Sequence, residues 1–454
     1  MVSTGDQLAI TPADLEIRSL GPQTIASPIA RLLHGRASSI HYVHESDRVL
    51  LDDTLQMVHQ RGTSFDSLLA LEPGGPRAQI YFAPERTKVG IVTCGGLCPG
   101  LNDVIRGLVL ELHEHYGVPS ILGFRNGYLG LVGEEPPLEL TPESVRNIHT
   151  RGGTMLGTSR GDQDPEAMVD TLVRHGVCVL FVIGGDGTLR GAQKIVDVAE
   201  ARGVELAVVG IPKTIDNDIP YIDHSFGFQT AFARAAESIR AAHTEASSTP
   251  NGVGLVKLMG RHSGFIACYA ALANQSVDVV LVPEIDFALD GPGGVLEHVR
   301  SRVESQGHAV VVVAEGAGQE HLRTDGARDA SGNLRLGDIG QLLRDSITAY
   351  FAEAQLPLSL RYVDPGYAIR SVAANPYDAV YCIRLAQVAV HAAMAGRTSM
   401  VVGRWHGRFV HLPITLATGS SNQVDAHGDL WMSVLEGTGQ PLKFGQPALS
   451  VSQL

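Results

Sequence analysis

The chain has 454 residues, 44% apolar and 18% charged, which is longer than one hydrophobic core usually organises, so we expect two main domains and an additional segment. A net charge of -13 excludes long-range attraction to nucleic acid or to an anionic membrane, and an anionic ligand must therefore be bound by local contacts. No run approaches the roughly 20 apolar residues of a membrane helix, and an odd count of five cysteines indicates reduced thiols in a cytoplasmic protein.

Residues 1–84 are mixed polar sequence with a turn-rich end, and we interpret them as an N-terminal extension. From residue 88 onward, short apolar runs that end in glycine or charged residues predict buried parallel strands. These runs are KVGIVT at 88–93, VCVLFVI at 177–183, ELAVVGI at 205–211, GVGLVKL at 252–258, VDVVLV at 277–282 and HAVVVVA at 308–314. Helical stretches at 164–176, 188–203 and 229–246 alternate with them, which predicts an α/β fold with parallel-rich sheets.

The division into domains is predicted from a turn-forming run, TPNGVG at 249–254, that separates two sets of strands and helices. We expect a first α/β domain at 85–248 and a second at 249–395, with 396–454 returning to complete the first. In such sheets ligands bind beyond the carboxyl ends of the strands, where glycine-rich loops fall in this chain. Two facing sheets would form a cleft in which two substrates meet.

Two glycine-rich loops follow the first strands. In TCGGLCPGLN at 93–102, backbone N–H groups can approach a phosphate just before a helix, although a tight structural turn explains this loop at least as well. In GGDGT at 184–188, a carboxylate at Asp186 stands between glycines at a strand end and can hold Mg²⁺ that bridges nucleotide phosphates. The alternative is a helix-capping aspartate, but a cap does not need glycines on both sides.

The third loop, PKTIDND at 212–218, places two carboxylates and a threonine beside a lysine. Phosphoryl transfer needs a base that accepts the hydroxyl proton and cations that neutralise the phosphoryl oxygens. Asp216 fits the base and Lys213 the cation. Taken alone, the loop is equally consistent with an Asx-rich turn.

The fourth loop, MGRHSG at 259–264, presents Arg261, whose planar guanidinium suits phosphate oxygens. We interpret His262, which has no evident partner, as a structural histidine. Further single residues that suit phosphate or sugar binding, but that also fit ordinary turn or surface positions, are Arg160, Glu315, Arg361, Tyr367 and Arg370.

Taken in order, GGLCPGLN, GGTMLGTSRG, GGDGT, PKTIDND, MGRHSG, VAEG and YAIR resemble the phosphofructokinase family over about residues 90–395. The resemblance implies two facing Rossmann-like domains with the active site in the cleft between them. The domain at 85–248 would bind ATP, and the domain at 249–395 would bind the sugar phosphate. The implied reaction transfers the γ-phosphoryl group of Mg²⁺-bound ATP to the 1-hydroxyl of fructose 6-phosphate, usually in a homotetramer, with a homodimer as the alternative.

The resemblance also implies roles for single residues. Asp216 matches the catalytic base, with Lys213 and Arg261 as catalytic cations, and Asp186 matches the carboxylate linked to Mg²⁺. The positions that match ATP contacts are Gly95, Arg160, Gly161, Gly185, Asp186, Gly187 and Thr188. The positions that match substrate contacts are Thr214, Ile215, Asp216, Met259, Gly260, Arg261, Glu315, Tyr367 and Arg370, and Arg361 is a further candidate six residues before Tyr367.

The phosphoryl donor is predicted from two positions at which this family divides. Pyrophosphate-dependent members resemble GGDD in the second loop, where an extra carboxylate fills and charges the space of the nucleotide, whereas Gly187 leaves that space open. Lys213 is shared with the pyrophosphate-dependent members. This combination resembles the ATP-dependent branch of plants and trypanosomatids, and we predict ATP because position 187 decides whether ATP fits.

Two alternatives remain open: a pyrophosphate-dependent enzyme, favoured by Lys213, and a non-catalytic regulatory subunit that binds sugar phosphate.

Two positions also depart from the family pattern. Tyr367 stands where the familiar bacterial enzymes carry histidine, and Gly252 stands where they supply an arginine. Neither the cross-subunit phosphate contacts nor an allosteric site can therefore be carried over to this chain.

Overall fold

The computed structural model describes residues 10–33, 42–61, 68–322, 326–328 and 334–445. Its strands are β1 (Arg18–Ser19), β2 (Ile25–Ala26), β3 (Val49–Leu50), β4 (Ala70–Pro73), β5 (Gln79–Ile80), β6 (Lys88–Thr93), β7 (Ser120–Gly123), β8 (Leu138–Glu139), β9 (Val179–Gly184), β10 (Ala207–Pro212), β11 (Gly252–Leu258), β12 (Val279–Leu281), β13 (His308–Ala314), β14 (Ser359–Val363), β15 (Arg397–Thr398), β16 (Met400–Trp405) and β17 (Arg408–Pro413).

The α-helices are α1 (Leu55–Arg61), α2 (Leu101–Leu110), α3 (Leu129–Val132), α4 (Pro165–His175), α5 (Asp186–Ala201), α6 (Phe228–Ser247), α7 (Phe265–Leu272), α8 (Val295–Gln306), α9 (Ile339–Glu353), α10 (Gly366–Arg370), α11 (Pro376–Met394), α12 (Ile414–Ala417) and α13 (Asp429–Thr438). A π-helical turn at Glu111–Tyr116 extends α2, and short 3₁₀ turns occur at Pro12–Leu15, Pro28–Leu33, Pro84–Arg86, Ile148–Thr150 and Gln319–His321. No helix within the described ranges is long and apolar enough to cross a membrane.

The larger sheet forms the core of one lobe. Within the described residues it has nine strands in the order β3-β4-β17-β16-β10-β9-β6-β7-β8. The five strands from β16 to β7 are parallel, and antiparallel strands flank them on both sides. Every residue of β9 and β10 is buried. Their continuous apolar runs are therefore explained by helices that cover both faces of the sheet.

The smaller sheet forms the core of the second lobe and contains, in the described part of the chain, four parallel strands in the order β12-β13-β11-β14. Helices α6, α8 and α9 pack against it. All six strands and all three helices predicted from the apolar runs are present. The predicted architecture of two Rossmann-like lobes is confirmed.

The connection between the lobes differs in detail from the expectation. The run at 249–254 is only partly a linker, because β11 already begins at Gly252. Helix α6, expected in the first domain, packs against β11 and β13 of the smaller sheet, and α11, expected in the second, packs against α2 and β10. Strands β16 and β17, which follow residue 396, join the larger sheet. The domain boundaries themselves stay a prediction.

The described part of the N-terminal 84 residues is built into the larger lobe rather than appended to it. Strand β4 pairs with β17, and β1 pairs with β15. Glu72 of β4 accepts hydrogen bonds from Arg77 Nη2 (2.7 Å) and Arg397 Nε (2.9 Å), and His411 Nδ1 lies 2.9 Å from the same oxygen. Burial raises the pKa of Glu72, but His411, Arg397 and Arg77 outweigh it and lower the pKa to about 2. This buried ion cluster ties the N-terminal segment to β15 and β17.

Candidate active site between the two lobes

A cavity of about 920 Å³ lies where the carboxyl ends of strands from both sheets meet. Loops after β6, β9 and β10 line it from the larger lobe, and loops after β11, β13 and β14 line it from the smaller lobe. This is the edge at which open α/β sheets bind ligands. The volume lies at the upper end of the range for small-molecule sites, which leaves room for more than one small ligand.

The loop after β6 is held open by main-chain contacts. Gly95 adopts a left-handed conformation (φ 84°), its N–H donates to the Ser159 carbonyl (3.0 Å), and its own carbonyl accepts from Thr158 Oγ1 (2.6 Å). Lys213 Nζ donates to the neighbouring Gly96 carbonyl at 2.8 Å. The positive φ requires glycine at 95. The loop thereby presents the backbone of Gly95 and Gly96 to the cavity.

The loop after β9 leads directly into α5, whose first residue is Asp186. The amino terminus of a helix attracts anions through unpaired N–H groups. Asp186 is half-exposed, and its Oδ1 accepts from Arg190 Nη1 at 2.7 Å. Burial raises the pKa of Asp186, against the opposing charge of Arg190. A β-carbon added at Gly187 would meet no atom within 4 Å, so the space beside this helix end is open.

The loop after β10 carries the most strongly perturbed carboxyl group of the cavity. Thr214 Oγ1 donates to Asp218 Oδ1 (2.6 Å) and accepts from the N–H of Asp216 (3.2 Å). Asp216 Oδ1 is buried and has no hydrogen-bond partner in the part of the chain that the structure describes. Burial, together with the charges of Asp218 and Glu315, raises the pKa of Asp216 to about 8. A carboxylate with this pKa and an unused oxygen can accept a proton from a ligand.

Lys213 in the same loop is buried, and its burial lowers the pKa of the ammonium group, although the lysine still donates to the Gly96 carbonyl. Lys213 therefore joins the loop after β6 to the loop after β10. It also places its ammonium group in the lining of the cavity. The smaller lobe contributes further cations from the loops after β11 and β14.

The smaller lobe presents charged side chains from three strand ends. Arg261 follows β11, and Glu315 follows β13, with the Glu315 N–H donating to the Leu258 carbonyl at 2.9 Å. Burial raises the pKa of Glu315 against the charge of Arg261. On α10, the guanidinium of Arg370 lies 4.6 Å from the ring centroid of Tyr367, which is 79% exposed. This wall of the cavity suits an anionic ligand that also carries hydroxyl groups.

A family profile described as Phosphofructokinase matches residues 88–393 of the chain. The chain belongs to the phosphofructokinase family. It is 57% identical over 443 residues to an ATP-dependent 6-phosphofructokinase of Amycolatopsis methanolica, with 96% of each chain covered. It is 45% identical over 405 residues to the protein named ATP-dependent 6-phosphofructokinase 4, chloroplastic, of Arabidopsis thaliana, covering 88% of this chain and 75% of that protein. A solved pyrophosphate-dependent phosphofructokinase from Marinobacter aquaeolei superimposes with a TM-score of 0.65 at 21% identity, covering 80% of this chain and 94% of that one, and supports the fold alone.

The phosphofructokinase motifs come together at the cavity although they are spread along most of the chain. Asp186 and Asp216 open onto the same hollow. The predicted residues that line it are Gly95, Arg160, Gly161, Gly185, Asp186, Gly187, Thr188, Lys213, Thr214, Ile215, Asp216, Met259, Arg261, Glu315, Tyr367 and Arg370.

Two predicted phosphofructokinase contacts lie elsewhere. Gly260 does not line the cavity; its φ is 132°, and a β-carbon there would lie 2.4 Å from the Ser263 carbonyl oxygen, so it shapes the loop. Arg361 lies within β14 opposite Gly254, half-exposed, with Nε 3.8 Å from Glu245 Oε2. It does not line the cavity of this chain, so its predicted contact with the sugar phosphate has no support here.

The structure adds residues that the sequence reasoning did not select. Lys257, only 16% exposed, lies in β11 with Nζ 2.9 Å from Asp364 Oδ2 and 3.1 Å from Asp338 Oδ1. A lysine inside an otherwise apolar strand is a readable signal, because a buried charge needs partners. His262, interpreted as structural, also lines the cavity. The other lining residues outside the predicted set are Cys94, Gly96, Leu97, Tyr128, Ser159, Asp162, Arg190, Asp218, Asp364 and Gly366.

Proposed function

We propose that the protein is an ATP-dependent 6-phosphofructokinase. It would transfer the γ-phosphoryl group of Mg²⁺-bound ATP to the 1-hydroxyl of fructose 6-phosphate, giving fructose 1,6-bisphosphate and ADP, a step of glycolysis. The observation that carries the proposal is the shared cavity: Asp186, at a helix amino terminus, and Asp216, with its raised pKa, face one hollow from different loops. Membership of the phosphofructokinase family supports the same reaction.

In this proposal Asp216 accepts the proton of the attacking sugar hydroxyl on its free Oδ1. A base with a pKa near the working pH combines ionisation with basicity, and a value of about 8 meets that condition. Lys213 in the same loop and Arg261 in the loop after β11 line the same cavity and would neutralise the oxygens of the phosphoryl group during transfer. Arg370 would bind the phosphate already on the sugar, and Glu315 would accept its hydroxyl groups.

The larger lobe would bind the nucleotide. The backbone at Gly95 and the amino terminus of α5 would contact its phosphates, and Arg160 would add charge from the adjacent loop. These proposed nucleotide contacts are the ones that the family motifs imply.

The donor groups fit magnesium. Among the described residues no group of three or more His, Cys, Asp or Glu side chains is placed to hold a metal ion. Magnesium commonly uses one or two carboxylates and completes its shell with water and substrate phosphates. Asp186 is the carboxylate that would hold it here. The bound ion would offset the negative charge of the nucleotide phosphates.

Two rival functions remain to be separated from this one. The open space at Gly187 favours ATP over pyrophosphate as the donor, because it leaves room for the nucleotide. A non-catalytic subunit could lose its carboxylates without penalty, yet Asp186, Asp216 and Asp218 all line the cavity.

Turnover of the purified chain with Mg²⁺ tests the proposal directly. Each donor, ATP and pyrophosphate, is paired with a panel of ketose phosphates that includes sedoheptulose 7-phosphate. We expect the highest kcat/KM for ATP with fructose 6-phosphate. Higher kcat/KM with pyrophosphate would establish the rival donor, and binding of sugar phosphate without turnover would establish the regulatory subunit.

We also propose a cellular compartment and an oligomeric state for the protein. All five cysteines are free in the structure, which supports a reducing, cytoplasmic setting. The family resemblance supports a homotetramer, with a homodimer as the alternative. Light scattering of the purified chain distinguishes them by mass.

A further inference from the structure

The segment at 421–424, between α12 and α13, lies against two loops of the cavity. The N–H of Asn422 donates to the Asp218 carbonyl at 2.6 Å. The side chain of Gln423 donates through Nε2 to the His262 carbonyl at 3.0 Å. The 421–424 segment therefore contacts two loops: the loop after β10 that carries Asp216 (212–218, the base loop) and the loop after β11 that carries Arg261 (259–264, the arginine loop).

Glu284, which follows β12, connects the arginine loop to the 421–424 segment. Its Oε1 accepts the N–H of Gly264 (2.9 Å) in the arginine loop and the N–H of Val424 (2.8 Å). Burial raises the pKa of this carboxyl group, against the two N–H groups, which favour its ionised form. This partly buried carboxylate accepts hydrogen bonds from two main-chain N–H groups that are far apart in the sequence. It therefore joins the two segments to which they belong.

The two loops also contact each other. Ser263 Oγ donates to the Asp216 carbonyl at 2.9 Å. The hydrogen bonds thus form a closed ring: the base loop contacts the arginine loop, the arginine loop contacts Glu284, Glu284 contacts the 421–424 segment, and this segment returns to the base loop. Each member is held by at least two others.

We propose that Glu284 and the 421–424 segment form a strap that fixes the base loop of the larger lobe against the arginine loop of the smaller lobe, and that Glu284 is a positioning residue for phosphoryl transfer. This inference rests on the proposed function. Glu284 does not line the cavity and acts only through Gly264 and Val424. The strap keeps Asp216 and Arg261 at a fixed separation although they belong to different lobes.

The choice of substitutions follows from the hydrogen bonds. Glu284→Ala removes the shared acceptor and leaves two N–H groups unpaired. Glu284→Gln keeps a carbonyl oxygen in place of Oε1 and serves as the conservative variant. The control is Glu297→Ala in the same lobe, because Glu297 accepts, among the described residues, only the nearby N–H of Gly293 and lies outside the cavity.

The first measurement is hydrogen–deuterium exchange of the ligand-free chain, which does not depend on activity. We expect Glu284→Ala to accelerate exchange at 214–218, 260–264 and 421–424, while exchange in the core strands β9 and β10 stays unchanged. Glu284→Gln and Glu297→Ala should leave those three segments as in wild type. Unchanged exchange in the alanine variant, or accelerated exchange throughout the chain, would overturn the strap.

The second measurement is steady-state kinetics with ATP and fructose 6-phosphate. We expect Glu284→Ala to lower kcat by about 10-fold to 100-fold, because small displacements of reacting groups cost this much. The KM for ATP should stay near wild type, and Glu284→Gln should restore kcat. A wild-type kcat in the alanine variant, or a glutamine variant as slow as the alanine variant, would contradict the positioning role.

The two measurements separate the inference from the function on which it rests. If wild type phosphorylates no sugar phosphate, the proposed function fails, and the exchange pattern still decides whether the strap exists. If wild type is active and exchange in Glu284→Ala is local but kcat is unchanged, the proposed function stands and Glu284 is not a positioning residue.

Discussion

The two walls of the cavity are built from different parts of the polypeptide. The larger lobe contributes glycine-rich main chain, the amino terminus of α5 and the open space at Gly187, beside the side chains of Arg160, Asp186 and Lys213. The smaller lobe offers charged side chains, with Arg261 after β11, Glu315 after β13 and Arg370 on α10, which follows β14. Main chain fixes which shape of donor can enter, whereas side chains bind the charge and hydroxyl pattern of the acceptor. Substitutions on the two sides should therefore change different kinetic constants.

The largest effect is expected at Asp216, which lies where the two walls meet. Asp216→Asn removes the base while keeping its shape, and we expect kcat to fall by about 10²-fold to 10⁴-fold. The KM for either substrate should change little. Steady-state kinetics with both substrates varied tests this. Asp197→Asn is the control, because Asp197 accepts a hydrogen bond from Gln193 on the exposed face of α5. Near-normal turnover of Asp216→Asn would remove the assigned mechanism.

The next largest effect concerns the main-chain wall. Gly187→Asp places a carboxylate in the open space beside α5, where it repels the nucleotide phosphates. We expect kcat/KM for ATP to fall about 100-fold, while the KM for fructose 6-phosphate and the melting temperature stay unchanged. Gly187→Asn is the matched control, with equal size and no charge. An equal loss in both variants would show that bulk, rather than charge, decides donor choice.

The pH dependence reports on the junction of the two walls. Because Asp216 must be ionised to accept a proton, kcat/KM for fructose 6-phosphate should fall by about tenfold per unit below pH 8 and level off above it. The raised pKa means that the folded chain binds a proton that the unfolded chain releases, so its stability declines as pH rises toward about 8. Thermal melts at pH 6 and pH 9 should show a smaller decline for Asp216→Asn. A flat kinetic profile between pH 6 and pH 8 would exclude Asp216 as the base.

The smallest effect is expected on the side-chain wall. Arg370→Met should raise the KM for fructose 6-phosphate by about tenfold, the scale of one charged hydrogen bond, and leave the KM for ATP unchanged. Arg361→Met is the matched control, since Arg361 lies outside the cavity. If Arg361→Met raises this KM and Arg370→Met does not, the original sequence assignment of Arg361 is correct and the placement argument fails.

Six strands, β6 and β9–β13, could be predicted because burial on both faces leaves a continuous apolar run in the sequence. The glycine loops could be placed for the same reason, since they follow those runs directly. Arg361 was harder to place because its position two residues before the end of β14 puts it level with Gly254, away from the carboxyl edge. Tyr367 and Arg370 follow the end of that strand and do line the cavity.

The pairing of the N-terminal segment could not be predicted. Strand β4 is four residues long and β1 only two, and the strands that join them to the C-terminal part of the chain, β17 and β15, lie more than 300 residues away. Strands this short carry no clear alternation, and loop-closure entropy gives no local preference for one distant partner over another. The strap at 421–424 was missed for a similar reason, because most of its contacts use main-chain groups that every residue possesses.

Glu72 has a consequence for where the chain can be shortened. A fragment trimmed to the family-matched residues 88–393 would keep every loop that lines the cavity, yet it would lose β4, β16 and β17. The edge of β10, which carries the base loop, would then be unpaired. Removing only the N-terminal 84 residues would leave the buried Arg397 without its carboxylate partner and His411 without its hydrogen-bond partner, at a cost of about 3–5 kcal/mol. The two ends of this polypeptide are thus mutually dependent for folding, although neither belongs to the part by which the family is recognised.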